Sequence, residues 1–204
     1  MRPSPLYNLI GILSAPVLYG LYRLRVRGLE DLPQEGGYVL ACNHVSNFDP
    51  WAIGVPLWPK RFLRFMAKSE LYWWPLTILL NRVGAFPVRR GQRDAEAIAT
   101  AVRLVREGNV VVMFPEGTRR TKGLVKRFEA RPRSGAARIA FEAGVPLVPM
   151  AVKGTDRLTR LARLSVAYGA PLEIEDLRGG DVAEAAHEAT ERLMEKILEL
   201  EASL

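Results

Sequence analysis

Val-Val-Val-Met-Phe at residues 110–114 is the stretch of sequence that decides the fold. All five side chains are apolar and three are β-branched, so the run predicts a strand that is buried on both faces. Such strands are typical of a parallel sheet with helices on both sides. Further short apolar or β-rich runs lie at residues 38–42, 62–67, 146–152 and 164–168.

Helical patterns alternate with these strands along the chain. They cover residues 51–57, 72–82, 93–107, 134–143 and 182–200. This alternation predicts a single α/β domain with a mostly parallel central sheet flanked by helices. A length of 204 residues is enough for one domain with its own core, and a hydrophobic content of 49% excludes a disordered chain.

The chain has few residues of the types that bind metals. Cys42 is its single cysteine, so no intrachain disulfide is possible. Two histidines cannot form a multi-histidine metal site. We therefore predict neither a metal nor a cofactor.

Charge is distributed unevenly within a net charge of +7. Residues 60–133 carry seventeen Lys or Arg against six Asp or Glu, whereas residues 173–204 carry three against ten. The basic stretch predicts an anionic partner: nucleic acid, phospholipid headgroups, or a phosphorylated substrate with an acidic carrier.

The beginning of the chain favours the lipid among these partners. Residues 6–22 contain no charge and are followed at once by Arg23, Arg25 and Arg27. Seventeen residues interrupted by Pro16 are short for a membrane-spanning helix, but they suit a helical segment that lies in one leaflet and bends at the proline. The alternative is an amphipathic helix that is buried in the core.

The tryptophans point to the same partner. All four lie between residues 51 and 74, and tryptophan favours the interface of a membrane, although an aromatic core is the alternative. We predict an apolar membrane anchor at residues 1–28 and the α/β domain at residues 29–204. Arginines beside the anchor favour the cytoplasmic side, so we expect a monotopic protein on the cytoplasmic face of the inner membrane.

A histidine and a carboxylate lie just after the first predicted strand, in Asn-His-Val-Ser-Asn-Phe-Asp-Pro at residues 43–50. His44 and Asp49 can meet if His44 lies in a turn and Asp49 caps the next helix, with Pro50 at its first position. Asp49 would then accept from one ring nitrogen and leave the other as a general base. The alternative is a purely structural helix start beside a hydrogen-bonded histidine.

Three further motifs lie at residues 84–91 (GAFPVRRG), 114–119 (FPEGTR) and 145–149 (VPLVP). Arg90 and Arg119 have planar guanidinium groups that suit bidentate phosphate binding. Gly117 allows the backbone to approach a ligand closely.

In this order and spacing the motifs resemble those of the glycerophospholipid acyltransferase family, specifically the bacterial lysophosphatidate acyltransferases. The positions that match are Asn43, His44, Ser46 and Asp49 in the first block, Gly84, Phe86 and Arg90 in the second, Phe114, Pro115, Glu116, Gly117, Thr118 and Arg119 in the third, and Val145, Pro146 and Pro149 in the fourth. Two features depart from the family: Arg120 where serine is frequent, and a longer, more basic segment at residues 122–133.

The resemblance implies transfer of an acyl group from acyl-CoA or acyl-acyl carrier protein to the free sn-2 hydroxyl of lysophosphatidate, which gives phosphatidate. His44 would take the hydroxyl proton and Asp49 would orient His44. Arg119, Arg90 and Lys68 would hold the acceptor's phosphate. The loop of Glu116, Gly117 and Thr118 would shape that subsite.

Several alternatives stay open. Cys42 could carry an acyl-enzyme, and the acceptor could be an ornithine lipid or another lysophospholipid. A non-catalytic membrane-surface protein would leave the pair of His44 and Asp49 unexplained. A nucleic-acid-binding protein would leave the apolar beginning of the chain unexplained, so we expect no nucleic acid partner.

Overall fold

A computed structural model describes residues 3–89, 95–117, 132–179 and 181–204. Its centre is a seven-stranded sheet with the order β1-β7-β6-β2-β5-β3-β4. The strands are β1 (Arg25–Arg27), β2 (Tyr38–Cys42), β3 (Leu63–Lys68), β4 (Ala85–Val88), β5 (Val110–Met113), β6 (Leu147–Lys153) and β7 (Ser165–Tyr168). The helices are α1 (Pro5–Pro16), α2 (Asp49–Gly54), α3 (Leu76–Arg82), α4 (Ala95–Arg106), α5 (Gly135–Ala143) and α6 (Val182–Ala202).

The sheet is parallel except where β6 meets β7, which confirms the predicted α/β domain. Near the carboxyl end of β2, Ala41 lies opposite Met113 of β5 and Pro149 of β6. The loops that follow β2, β5 and β6 therefore leave the sheet at one edge, where ligands bind in open parallel sheets.

Both faces of the sheet are buried, which is why its central strands are continuously apolar. Tyr38, Leu40 and Cys42 of β2 belong to a core on the face covered by α1 and α2. Val39 and Ala41 belong to a second core, on the face covered by α4, α5 and α6.

Two strands differ from the sequence prediction. β1 and β4 were not predicted, because β1 has three residues with arginine at both ends and β4 contains Pro87. β1 lies within residues 1–28, the segment assigned to the anchor, and yet it pairs with β7. The sheet therefore begins before that boundary.

Helix α1 packs on the domain through both polar and apolar residues, and the ring of Tyr7 meets that of Phe62 edge-on with centroids 4.8 Å apart. Ser4 Oγ donates to the carbonyl of Arg82 at 2.6 Å, and Trp58 Nε1 donates to Asn8 Oδ1 at 3.1 Å. The ring of Trp58 lies against Gly11, where a Cβ atom would come within 2.5 Å of it. At Pro16 the α-helix continues as a π-helical turn over Val17–Leu21. Over the described ranges, no helix has both the length and the apolar character that crossing a membrane requires.

Candidate active site

The loop after β2 begins with Asn43, whose side chain ties it to β6. Asn43 Nδ2 donates to the carbonyl of Val152 at 3.0 Å, and Asn43 Oδ1 accepts from the amide of Val152 at 2.8 Å. The side chain thus replaces a backbone partner at the point where β2 ends. This pair of bonds fixes the direction of the chain immediately before His44.

The predicted contact between His44 and Asp49 is present. Asp49 Oδ2 accepts from His44 Nδ1 at 2.7 Å and from the backbone amides of Val45 and Ser46 at 2.8 and 2.9 Å. Helix α2 begins at Asp49 with Phe48 as its cap, so Pro50 is the second helical residue rather than the first. The carboxylate is fully buried, and its Oδ2 is the acceptor shared by these three contacts.

The contact with Asp49 uses only one of the two ring nitrogens of His44, Nδ1. When Nδ1 donates to Asp49, Nε2 is the ring nitrogen that can carry a lone pair. The ring stacks on Phe114 with centroids 4.1 Å apart and an interplanar angle of 22°. His44 is 6% exposed and lines a cavity at the carboxyl edge of the sheet.

Thr155 completes the partners of Asp49, and the sequence analysis missed it. Its Oγ1 donates to Asp49 Oδ1 at 2.5 Å, across 106 positions of sequence, and the side chain is buried. No local sequence pattern signals this contact, because only the pairing of β6 with β2 brings Thr155 to the end of β2. Gly154 allows the turn, since its φ is +95° and a Cβ atom there would lie 2.4 Å from the carbonyl of Arg163.

A buried tyrosine fixes helix α2 from the other side of the core. Tyr168 of β7 donates its hydroxyl hydrogen to the carbonyl of Ile53 at 2.8 Å. Burial raises the pKa of Tyr168 well above its ordinary value, so the group stays a neutral donor. The helix that begins with Asp49 is thereby anchored at both ends.

The cavity beside His44 has a volume of about 740 Å³ and lies between the sheet and the helices α4 and α5. Among the described residues, its lining is largely apolar and includes three arginines and the carboxylate of Glu142. The apolar residues include Met66, Val88, Ile98, Val112 and Met113, and the arginines are Arg89, Arg133 and Arg138. Such a lining suits a ligand with an apolar chain and an anionic group.

The FPEGTR motif lies beside this cavity as far as the structure describes it. Phe114, Pro115 and Gly117 line the cavity, and Glu116 is buried. Gly117 has a φ of +65°, and a Cβ atom there would come within 2.9 Å of Arg133 Nε. The backbone conformation therefore favours glycine, and the absence of a Cβ atom also leaves room for Arg133, a residue that the sequence did not single out.

Of the residues predicted to bind the acceptor's phosphate, the structure describes Lys68 but not the two arginines. Lys68 is exposed at the end of β3, opposite Val88 of β4. Arg90, Thr118 and Arg119 lie outside the described residues, as do Arg120 and all of the basic segment except residues 132 and 133.

The remaining motif positions support the sheet. Gly84 precedes β4 with a φ of +94°, and Phe86 is buried in the core beneath α4 and α5. Val145 and Pro146 precede β6, at the amino ends of the strands and therefore at the opposite end of the sheet from His44. There the carbonyl of Pro146 accepts from the amide of Val39 at 3.0 Å. The fourth motif thus positions a strand and does not line the cavity.

Cys42 is placed poorly for a nucleophile. Its side chain is fully buried in the core on the α1 and α2 face, and its Sγ donates to Asn43 Oδ1 at 3.4 Å. The cavity is lined by His44 but not by Cys42. In the described ranges no group of three or more His, Cys, Asp and Glu residues is arranged to hold a metal ion.

Comparison with known proteins places the chain in a family. A family model described as Acyltransferase matches residues 23–153. The chain is 33% identical over 188 residues to a 1-acyl-sn-glycerol-3-phosphate acyltransferase of Bacillus subtilis, with 89% of each chain covered. It is 27% identical over 198 residues to the protein of that name from Salmonella typhimurium, covering 90% of this chain and 76% of that one.

A solved structure shares the fold. The crystal structure of the 1-acyl-sn-glycerophosphate acyltransferase PlsC from Thermotoga maritima superposes with a TM-score of 0.65 at 22% identity, covering 94% of this chain and 79% of that one. The sequence motifs, the contact between His44 and Asp49 and the family match agree, and the chain belongs to the acyltransferase family.

Proposed function

We propose that this enzyme transfers a fatty acyl group from an acyl thioester to the sn-2 hydroxyl of lysophosphatidate and so produces phosphatidate for phospholipid synthesis. The observation that carries the proposal is the hydrogen bond of 2.7 Å between His44 Nδ1 and the buried carboxylate of Asp49. It leaves Nε2 of His44 as a base beside a cavity with an apolar and cationic lining. The names of the Bacillus subtilis and Salmonella typhimurium relatives support the choice of acceptor.

In the proposed reaction His44 Nε2 accepts the proton of the acceptor hydroxyl as that oxygen attacks the thioester carbonyl. A carbon–oxygen bond forms, and the tetrahedral intermediate then breaks its carbon–sulfur bond. The leaving thiolate takes the proton from His44, so the enzyme returns to its starting state. Asp49 stabilises the imidazolium that exists between the two proton transfers.

The acceptor's phosphate is proposed to bind the arginines of the second and third motifs, Arg90 and Arg119, with help from Lys68. Glu116, Gly117 and Thr118 shape that loop. Arg133 joins this set, because its guanidinium lies over Gly117 in the cavity that contains His44. A charge-assisted contact to phosphate contributes about 1.5–3 kcal/mol, so each arginine can affect acceptor binding measurably.

The acyl donor is acyl-CoA or acyl-acyl carrier protein, both of which are anionic and suit the basic residues near the cavity. No cofactor and no metal enters the proposed reaction. The experiment crosses lysophosphatidate, a lysophospholipid with a larger headgroup and a phosphate-free monoacylglycerol with both donors, using purified enzyme. We expect lysophosphatidate to have the highest kcat/KM, and equal use of the monoacylglycerol would contradict the phosphate subsite.

We also propose that the enzyme is monotopic on the cytoplasmic face of the inner membrane, where its acyl donors are made. The support comes from the outer side of α1 and of the turn that follows it, which we call the apolar face. It consists of exposed side chains only: Leu9, Ile12, Leu13, Val17, Tyr19 and Leu21. Helices of water-soluble domains place most such residues inward, whereas here these six remain exposed although Tyr7 and Leu18 of the same segment pack on the domain.

Two of the four tryptophans are placed to support the proposed membrane association. Trp73 and Trp74 precede α3 and are 58% and 80% exposed, so they can enter a membrane interface. Trp51 and Trp58 instead pack within the domain, against Tyr22 and Asn8. We expect detergent, but not high salt, to extract the protein from membranes, since salt weakens only the charged contacts.

A further inference from the structure

The turn between β6 and β7 carries a cationic surface that no motif includes. We call residues 153–163 (KGTDRLTRLAR) the basic turn. It has four exposed cationic side chains and one acidic residue, Asp156. The cations are Lys153, Arg157, Arg160 and Arg163. Arg157 contacts Asp156 at 3.7 Å, while Arg160 and Arg163 form no ion pair within the part of the chain that is described.

The basic turn is attached to the end of the apolar face. Arg23 Nη2 donates to the carbonyl of Leu161 at 3.4 Å, and the amide of Leu164 donates to the carbonyl of Tyr22 at 3.1 Å. Leu161 is 48% exposed and Leu21, at the end of the apolar face, is 51% exposed. Cationic side chains and exposed leucines therefore occur together on one side of the molecule, the side of α1.

The basic turn also adjoins the active site, because Thr155 within it donates to Asp49. Any surface that the turn binds is brought to the rim of the site. A lysolipid acceptor and its product reside in such a surface when it is a phospholipid bilayer.

We propose that the basic turn binds anionic phospholipid headgroups and so orients the active site toward the bilayer. The proposal rests on the membrane association proposed above and adds a headgroup preference to it. Each Lys or Arg near an anionic bilayer strengthens binding, and exposed leucines beside the charges add an apolar contribution. An acyl carrier protein is the competing anionic partner, but the exposed leucines next to the arginines favour the bilayer.

The test measures binding of the purified chain to vesicles of phosphatidylcholine and to vesicles in which part of that lipid is replaced by phosphatidylglycerol. The variant Arg160→Gln/Arg163→Gln removes two cations from the basic turn. The matched control, Arg103→Gln/Arg106→Gln, removes two exposed cations from α4, which covers the other face of the sheet. We expect wild type and control to bind the anionic vesicles more tightly than the neutral ones.

The variant in the basic turn is expected to lose roughly tenfold in affinity for the anionic vesicles and to bind the neutral ones as the wild type does. Equal binding of both vesicles by the wild type, or an equal loss in the control, would overturn the proposal. If the variant in the basic turn has a raised KM for acyl-acyl carrier protein but unchanged vesicle binding, the turn binds the carrier protein and the proposal is overturned. Failure of the wild type to bind neutral vesicles would refute the apolar anchor and not the basic turn. The gain in affinity when phosphatidylglycerol is added is the quantity that tests the basic turn.

Discussion

The surroundings of Asp49 and the apolar face of α1 are built in opposite ways. Asp49 is polar and buried, and both of its carboxylate oxygens have donors from the protein. Ile12 and Leu13 are apolar and exposed to 57% and 62%. A buried carboxylate whose two oxygens are both hydrogen-bonded is held in one geometry. Exposed apolar side chains have no such partners and gain free energy only when another surface covers them.

From this contrast we expect catalysis to depend on the surroundings of Asp49 and membrane binding to depend on the apolar face of α1. We predict that variants of His44 and Asp49 change turnover and leave membrane binding intact. Variants of the apolar face are expected to do the reverse. The predictions below test that separation.

The largest effect is expected for His44→Ala. Without a general base, kcat should fall by about 10²–10⁴-fold, the range for loss of such a group, with a smaller change in acceptor KM. Steady-state assays with purified enzyme measure this, and the fraction bound to vesicles is the control. Turnover within a few-fold of wild type would refute the mechanism.

Asp49→Asn is expected to lower kcat by roughly 10²-fold, because an amide has one acceptor atom where the carboxylate has two and its nitrogen opposes the donors around it. The imidazole then loses the partner that fixes its proton on Nδ1. Thermal unfolding of the variant separates this effect from loss of the fold. A folded Asp49→Asn protein with normal kcat would show that the contact is only structural.

The double variant Ile12→Gln/Leu13→Gln tests the apolar face. Burial of one such side chain contributes about 1.5–3 kcal/mol, so removing two is expected to weaken vesicle binding by at least tenfold. Activity on acceptor dispersed in detergent should stay near that of wild type. The inward residues of α1 are unchanged, so the variant is expected to fold. Unaltered vesicle binding would exclude this face as the anchor.

Thr155→Val is expected to have a smaller effect on kcat, roughly tenfold, since it removes one hydrogen bond from a buried carboxylate and keeps the side-chain shape. Thr155 acts through Asp49 and is a positioning residue. Thr155→Ser restores the hydroxyl and should recover most of kcat, with acceptor KM unchanged in both variants. An equal loss in the serine variant would assign Thr155 to packing alone.

The sequence predicted the centre of the sheet well and its margins poorly. β2, β5 and β6 are continuous apolar runs that local pattern identifies, and they lie within one residue of the prediction. β1 consists of Arg-Val-Arg and is a strand only because β7 pairs with it. The residue pattern of a short stretch of sequence contains no information about the strand with which that stretch will pair.

The site shows the same limit. His44 and Asp49 are five positions apart, so a local turn predicts their contact, although Phe48 and not Asp49 is the cap of α2. Thr155 is 106 positions from Asp49, and Arg133 approaches Gly117 only through the fold. The orientation of α1 was also beyond the sequence, because an apolar run does not say which side of a helix faces the domain.

In the proposed mechanism, the pair of His44 and Asp49 moves a proton while the acyl group passes directly from donor to acceptor. Initial velocities over a matrix of donor and acceptor concentrations test this most directly. Direct transfer needs both substrates bound together, so double-reciprocal plots are expected to intersect, and Cys42→Ala should give the same pattern with most of the activity. Parallel lines, the pattern of a covalent acyl-enzyme, would contradict the claim.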